Sequence, residues 1–144
     1  MMFVDFCIPG QPVAKGRPRF ARRGNFIKTY TPEKTLNYEN LVKMAAHEAM
    51  AGRAPSKAPI EIEVCLWLQI PSSWSKKKRI AAAYGQVMAT KKPDADNVLK
   101  GLKDGCNGIV WNDDAQVVTI ILQKKYAELP RAEVIVREIN GECA

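Results

Sequence analysis

Histidine and closely paired cysteine are nearly missing from this chain. Its one histidine, His47, sits among alanines, and its four cysteines, Cys7, Cys65, Cys106 and Cys143, lie far apart. Zinc knuckles and redox dithiols need such residues at close spacing, so both are excluded. The thiols read as reduced, with Cys7, Cys65 and Cys106 in or near a core. His47 reads as a structural or surface residue. No apolar run is long enough to cross a bilayer, which argues against a membrane partner. The opening MMFVDFCIPG has neither the basic start nor the long apolar stretch of a secretory signal, so a cytoplasmic protein is expected. Internal repeats and low-complexity tails are absent as well. At 144 residues one domain spanning 1–144 is expected, large enough to enclose a core.

Acidic residues are scarce where basic ones are dense. The net charge is +7, which points to a polyanion as partner. Between Pro9 and Pro32 there is no Asp or Glu, while Lys15, Arg17, Arg19, Arg22, Arg23 and Lys28 all fall there. Pro and Gly punctuate this stretch, so it reads as a loop or ribbon. Phe20 and Phe26 lie among its charges, where basic groups can hold phosphates while a ring stacks on a base or packs inward. Nucleic-acid contact is favoured over a solvated loop because no acid interrupts it. A second cluster, Lys76, Lys77, Lys78 and Arg79, reads equally as a phosphate contact or a wet face. A third, Lys91 and Lys92, adjoins the aspartates discussed below.

The regular elements follow from period and punctuation. Residues 2–8 read as a short strand. The clearest helix follows YTPEKT: Thr31 caps it, Pro32 suits its first position, Glu33 meets the positive first turn and Gly52 ends it. Tyr38, Leu41, Val42, Ala45 and Ala49 recur at helical spacing and are assigned to packing. Residues 59–70 alternate as a strand, with Ile60, Ile62, Val64, Leu66, Leu68 and Ile70 on one face. Trp67, on the other face, marks a second packing surface or a dimer contact. A short helix starts near Ser73 or Ser75, with a basic first turn that opposes its dipole. VVTIILQKKYA and AEVIVREI read as two strands, and the ELP between them suggests an antiparallel hairpin.

Five of the six aspartates fall within 21 positions, in KKPDADNVLKGLKDG and WNDDAQ. Pro93 disfavours helix for Lys92, so the chain arrives extended. Side chains two apart then point the same way and Asp94 and Asp96 can converge. Asp96 is a good cap for the helix that follows, whose apolar face is Val98, Leu99, Leu102 and Cys106. Lys100 lies one turn past Asp96. If Asp113 and Asp114 lead straight into a strand they face opposite ways, and only one of them serves the site. At 4 Å and an effective dielectric near 20, two carboxylates repel by about 4 kcal/mol. Protonation or a cation must relieve that. The hard oxygen set selects Mg²⁺ or Mn²⁺, beside lysines suited to a phosphodiester and, in Lys100, to transition-state charge. The bland alternative is that Asp96 caps, Asp104 pairs with Lys100, and Asp113–Asp114 makes a turn.

KPDADNVLKGLKDG followed by VWNDDAQVV resembles the signature of the RusA family of Holliday junction resolvases. PGQPVAKGRPRF and YTPEKTLNYENLV resemble its phage-type members, so the likeness covers most of the chain. The resemblance implies that Asp94, Asp96 and Asp114 are the essential metal-binding acids and that Lys100 is the catalytic lysine. It implies that Asp113 is less critical and that Asn97 and Asp104 are supporting. It further implies a small α+β domain with a mixed β-sheet packed by helices, and a homodimer acting on four-way DNA junctions. The activity expected is metal-dependent nicking of paired strands in recombination and repair. A nuclease for flaps or forks, or a DNA-binding protein without catalysis, are the alternatives.

Overall fold

The computed structural model describes residues 2–16, 19–24, 26–30 and 33–144, excluding the side chains of 19–23 and 26–30. Among the described residues, six strands and three α-helices follow in the order β1 (Met2–Pro9), β2 (Arg19–Arg23), β3 (Phe26–Tyr30), α1 (Glu33–Met50), β4 (Ile60–Gln69), α2 (Lys76–Ala83), α3 (Ala95–Cys106), β5 (Val117–Ala127) and β6 (Arg131–Glu138). The four-stranded sheet runs β1-β6-β4-β5, and β2 and β3 pair as a separate antiparallel ribbon. β4 and β5 are parallel, whereas β6 is antiparallel to both β1 and β4. The fold is therefore α+β on a mixed sheet.

β4 is the central strand, and its alternation explains the layering. Ile60, Ile62, Val64, Leu66 and Leu68 are buried beneath the helices. The first four meet Val42, Ala46 and Met50 of α1 and Val98, Leu99, Leu102 and Cys106 of α3 in one core, which also holds Trp111. α1 and α3 approach closely at Gly105, where an added Cβ would lie 2.4 Å from Val42 Cγ1. A smaller cluster of Leu68, Ile70, Ala82, Ala89 and Tyr126 seats α2 at the far end of the sheet. The opposite sheet face is charge-paired: Arg137 reaches Glu61 at 2.9 Å and Glu63 at 3.4 Å, and Arg131 lies over Trp67 at 4.9 Å.

Several local expectations need correction. β5 and β6 form no hairpin, because β4 lies between them. The short link at 128–130 passes across the end of β4, where Gln69 Nε2 donates to the Glu128 carbonyl at 3.2 Å. That tether comes from a residue far away in sequence, so the local turn signal misleads. Leu41 is 44% exposed, because α1 turns Tyr38, Val42, Ala46 and Met50 inward instead. Cys7 is exposed and Cys65 only half-buried, since both lie on the open sheet face; Cys106 alone is fully buried. Thr31 and Pro32, expected to start α1, lie outside the described residues. Ser75 does cap α2, its hydroxyl accepting from the Lys78 N–H at 3.2 Å. No helix among the described residues is long and apolar enough to cross a membrane.

Candidate active site

α3 presents the aspartates. Its cap is Asp94, not Asp96: Asp94 has extended backbone (φ −70°, ψ 121°) and its carbonyl accepts from the Val98 N–H at 3.1 Å. Asp96 is already helical, in the first turn. The two carboxylates are thus both presented by the start of a helix and not by an extended strand. The positive end of the helix dipole offsets part of their repulsion. The Asp94 side chain makes no capping hydrogen bond, which leaves both its oxygens available.

The segment before α3 is held from a strand. Lys124 of β5 points its ammonium at the carbonyls of Lys91, at 2.6 Å, and Pro93, at 2.9 Å. The Lys92–Pro93 peptide is cis, and Lys91 and Lys92 are exposed.

Lys100 connects the helix start to a cleft. Its Nζ lies 3.9 Å from Asp96 Oδ2, one turn away. It also lines a cleft of about 380 Å³ together with Lys15, Gly16, Asn97, Lys103, Asp104 and Asp114. The rear of this cleft is built around Trp111, a 1% exposed ring whose Nε1–H donates to Asp114 Oδ1 at 2.8 Å. Asp114 also bears on Cys106: burial first, then the negative Asp114, pushes that thiol up to about 12.

Asp113 and Asp114 diverge, but through a turn and not by strand alternation. A single 3₁₀ turn spans Asp114–Gln116, and Asp113 caps it by accepting from the Ala115 N–H at 2.9 Å. Gln116 closes the box by accepting from the Asp113 N–H at 2.8 Å, and its amide donates to the carbonyls of Ser56 and Ala58. Asp113 is thus engaged with backbone, whereas Asp114 faces the cleft.

Asp104 pairs with Lys15, not Lys100. The same loop is tied twice more, by the Lys15 N–H to the Asn97 carbonyl at 3.0 Å and the Gly16 N–H to Thr35 Oγ1 at 2.7 Å. The hydrogen bond to Asp104 holds Lys15 above its usual 10.5, so it stays protonated. This strap leads directly into the β2–β3 ribbon, which carries Arg19, Arg22, Arg23 and Lys28 on its backbone. Arg17 lies outside the described residues, as do the side chains of those four.

Among the described residues, no three Asp, Glu, His or Cys stand close enough to hold a metal ion. In chemistry the donors suit a hard divalent cation: Asp94 is uncommitted and the Asp96 side chain is 73% exposed. Cys106, held protonated, does not compete as a soft ligand.

A family model for Endodeoxyribonuclease RusA matches residues 9–137. The chain belongs to the RusA endodeoxyribonuclease family. The matched range contains every cleft residue, the basic ribbon and the whole of α3. A Bacillus subtilis (strain 168) protein, the uncharacterized protein YqaN, is 35% identical over 140 residues, covering 96% of this chain and 98% of that one. RusA membership makes the chain a nuclease of the class that resolves Holliday junctions. Lys103, Trp111 and Lys124 were not anticipated as contributors. Trp111 had a signal, standing three residues before Asp114. Lys124 had none, because its partners lie 31 and 33 residues away.

Proposed function

We infer that this RusA-family nuclease is a Mg²⁺- or Mn²⁺-dependent resolvase. It nicks opposing strands of four-way DNA junctions during cytoplasmic recombination and repair. The observation that carries this reading is the dual position of Lys100, paired with Asp96 on one side and lining the Asp114 cleft on the other. Asp94 and Asp96, at the start of α3, and Asp114, on the cleft wall, would hold the ion once drawn together on it, as oxygen ligands suited to it. When bound, the ion supplies Lewis acidity toward the phosphodiester.

The chain's own residues supply the remainder. Lys100 offsets negative charge that builds on the phosphorus oxygens in the transition state. Lys15, fixed by Asp104, and the basic ribbon beyond it hold the DNA backbone, together with Lys91 and Lys92. Asn97, Asp104 and Asp113 act in support, through the cleft wall, the Lys15 strap and the 3₁₀ cap. A homodimer suits the substrate, because a junction has two-fold symmetry and an isologous pair offers two equal sites.

The test is cleavage of a four-way junction, a flap, a fork and a linear duplex by wild type and Asp96→Asn side by side. Junction nicking that requires Mg²⁺ and is lost in the variant supports the reading. Equal cutting of linear duplex rules out the resolvase assignment, and cutting confined to flaps or forks moves it to that substrate.

A further inference from the structure

The basic helix α2 borders a cleft of about 1170 Å³ whose lining shares no residue with the Asp114 cleft. Its rim carries Tyr84, 79% exposed, Leu129, 71% exposed, and Ile80, 49% exposed. Three cations line it, Lys76, Arg79 and Arg131, against one carboxylate, Glu128. Arg131 is already engaged with Glu133 at 3.0 Å, whereas Lys76 and Arg79 have no carboxylate within ion-pair distance among the described residues.

Two features of the chain make this cleft more than a solvated face. First, no Asp or Glu occurs from Val64 to Pro93, a stretch that holds Lys76, Lys77, Lys78, Arg79, Lys91 and Lys92. This acid-free run ends directly on Asp94. Second, four cations crowd the first turn of α2, with no acidic residue there, against the positive end of the helix dipole. Cations there oppose the dipole unless an anion is present, and of the four Lys78 lies over the Trp74 ring at 4.0 Å. A local rule broken this consistently is expected where a ligand completes the balance.

We propose that the α2 cleft is a second DNA-contacting site that takes an unstacked nucleotide from the branch point of the substrate. Tyr84 stacks on its base, and Lys76 and Arg79 bind the adjoining phosphates. The backbone then runs past Lys91 and Lys92 toward Asp94. A positively charged groove with an aromatic platform is the arrangement by which proteins hold unpaired strands without reading sequence. An acidic protein segment fits less well, because the open aromatic and aliphatic rim offers base stacking that a carboxylate side chain does not use. This inference rests on the junction reading above, but concerns where the branch is held and not where it is cut.

The experiment uses the full chain and a four-way junction carrying 2-aminopurine beside the branch point, with a paired linear duplex as control. Substituted residues are exposed, and equal melting temperatures establish that the variants fold. Stacking predicts that Tyr84→Ala weakens junction binding by roughly 5- to 150-fold and changes the 2-aminopurine signal, while Tyr84→Phe restores both. Lys76→Ala with Arg79→Ala lowers the slope of log affinity against log salt by about 1–2. The duplex control loses much less in Tyr84→Ala.

If wild type cuts junctions and these variants bind and report as wild type does, the cleft proposal is overturned and the resolvase reading stands. If wild type cuts no junction, the resolvase reading itself fails. A third outcome also overturns the proposal: Tyr84→Ala shifts subunit association, and DNA affinity recovers fully at high protein concentration. The cleft is then a contact between copies.

Discussion

Trp111 holds Asp114 by a hydrogen bond of 2.8 Å from a ring that is 1% exposed. The indole fills the core behind the cleft, so one side chain both packs and aims a carboxylate. Trp111→Phe keeps most of the packing and removes the donor. Loss of an orienting partner of this kind typically costs 10–100-fold in metal affinity or activity. The expected result is a raised Mg²⁺ requirement for nicking, with junction affinity in Ca²⁺ nearly unchanged. An unaltered Mg²⁺ titration would sink the role assigned to this bond.

Gly105 sets how closely α3 lies on α1. An alanine there would place Cβ 2.4 Å from Val42 Cγ1 and 2.7 Å from Val42 Cβ. Both neighbours belong to a side chain branched close to the backbone, so it cannot swing away. Gly105→Ala should cost about 1–3 kcal/mol. For a chain of this size that is a fall in melting temperature of roughly 2–4 °C per kcal/mol. Introducing the same change into Val42→Ala should cost much less. Equal losses in both backgrounds would show that the clash is not what limits the crossing.

The layering was legible because β4 alternates without a break and α3 repeats at helical spacing. These are local patterns, and each predicted its buried face. What failed was set by contacts between distant residues. ELP resembles a hairpin turn, yet the link crosses β4, tethered by Gln69. Asp96 has the chemistry of a cap, but the helix starts two residues earlier, at a point fixed from β5 by Lys124. The pairing of Asp104 is likewise long-range: Lys100 is its helical neighbour, but Lys15 arrives from 89 residues away. The aspartates were readable as a group, while their supports were not.

Lys124 gives those supports a direct test. Its ammonium binds two carbonyls of the segment that presents Asp94. Hydrogen bonds from a charged donor contribute about 1.5–3 kcal/mol each to such an arrangement. Lys124→Met should speed amide exchange at Val98, whose N–H is bonded to the Asp94 carbonyl, by at least tenfold while α1 and β4 keep their protection. Nicking should fall with it, chiefly in kcat, because substrate contacts are left in place. Unchanged exchange at Val98 would remove Lys124 from the site.

Cys106 reports on Asp114 through pH. Burial, then the nearby Asp114 carboxylate, raises its folded value from 9.0 to about 12. Below pH 9.0 the thiol is protonated in both folded and unfolded chains, and its contribution to stability is fully present. From there toward about 12 the unfolded thiol ionises while the native one stays protonated, so stability is lost as pH rises. Exposed Cys143 should alkylate readily at pH 8, and Cys106 should react only on unfolding. Asp114→Asn removes the negative neighbour, so native Cys106 should ionise at lower pH and the alkaline loss of stability should shrink. The ratio of stability at pH 8 to that at pH 10.5, measured by urea titration with the other cysteines changed to serine, reads this directly. If Asp114→Asn leaves that ratio unchanged, the carboxylate is not beside the end of α3, and the cleft wall built on Trp111 must be redrawn.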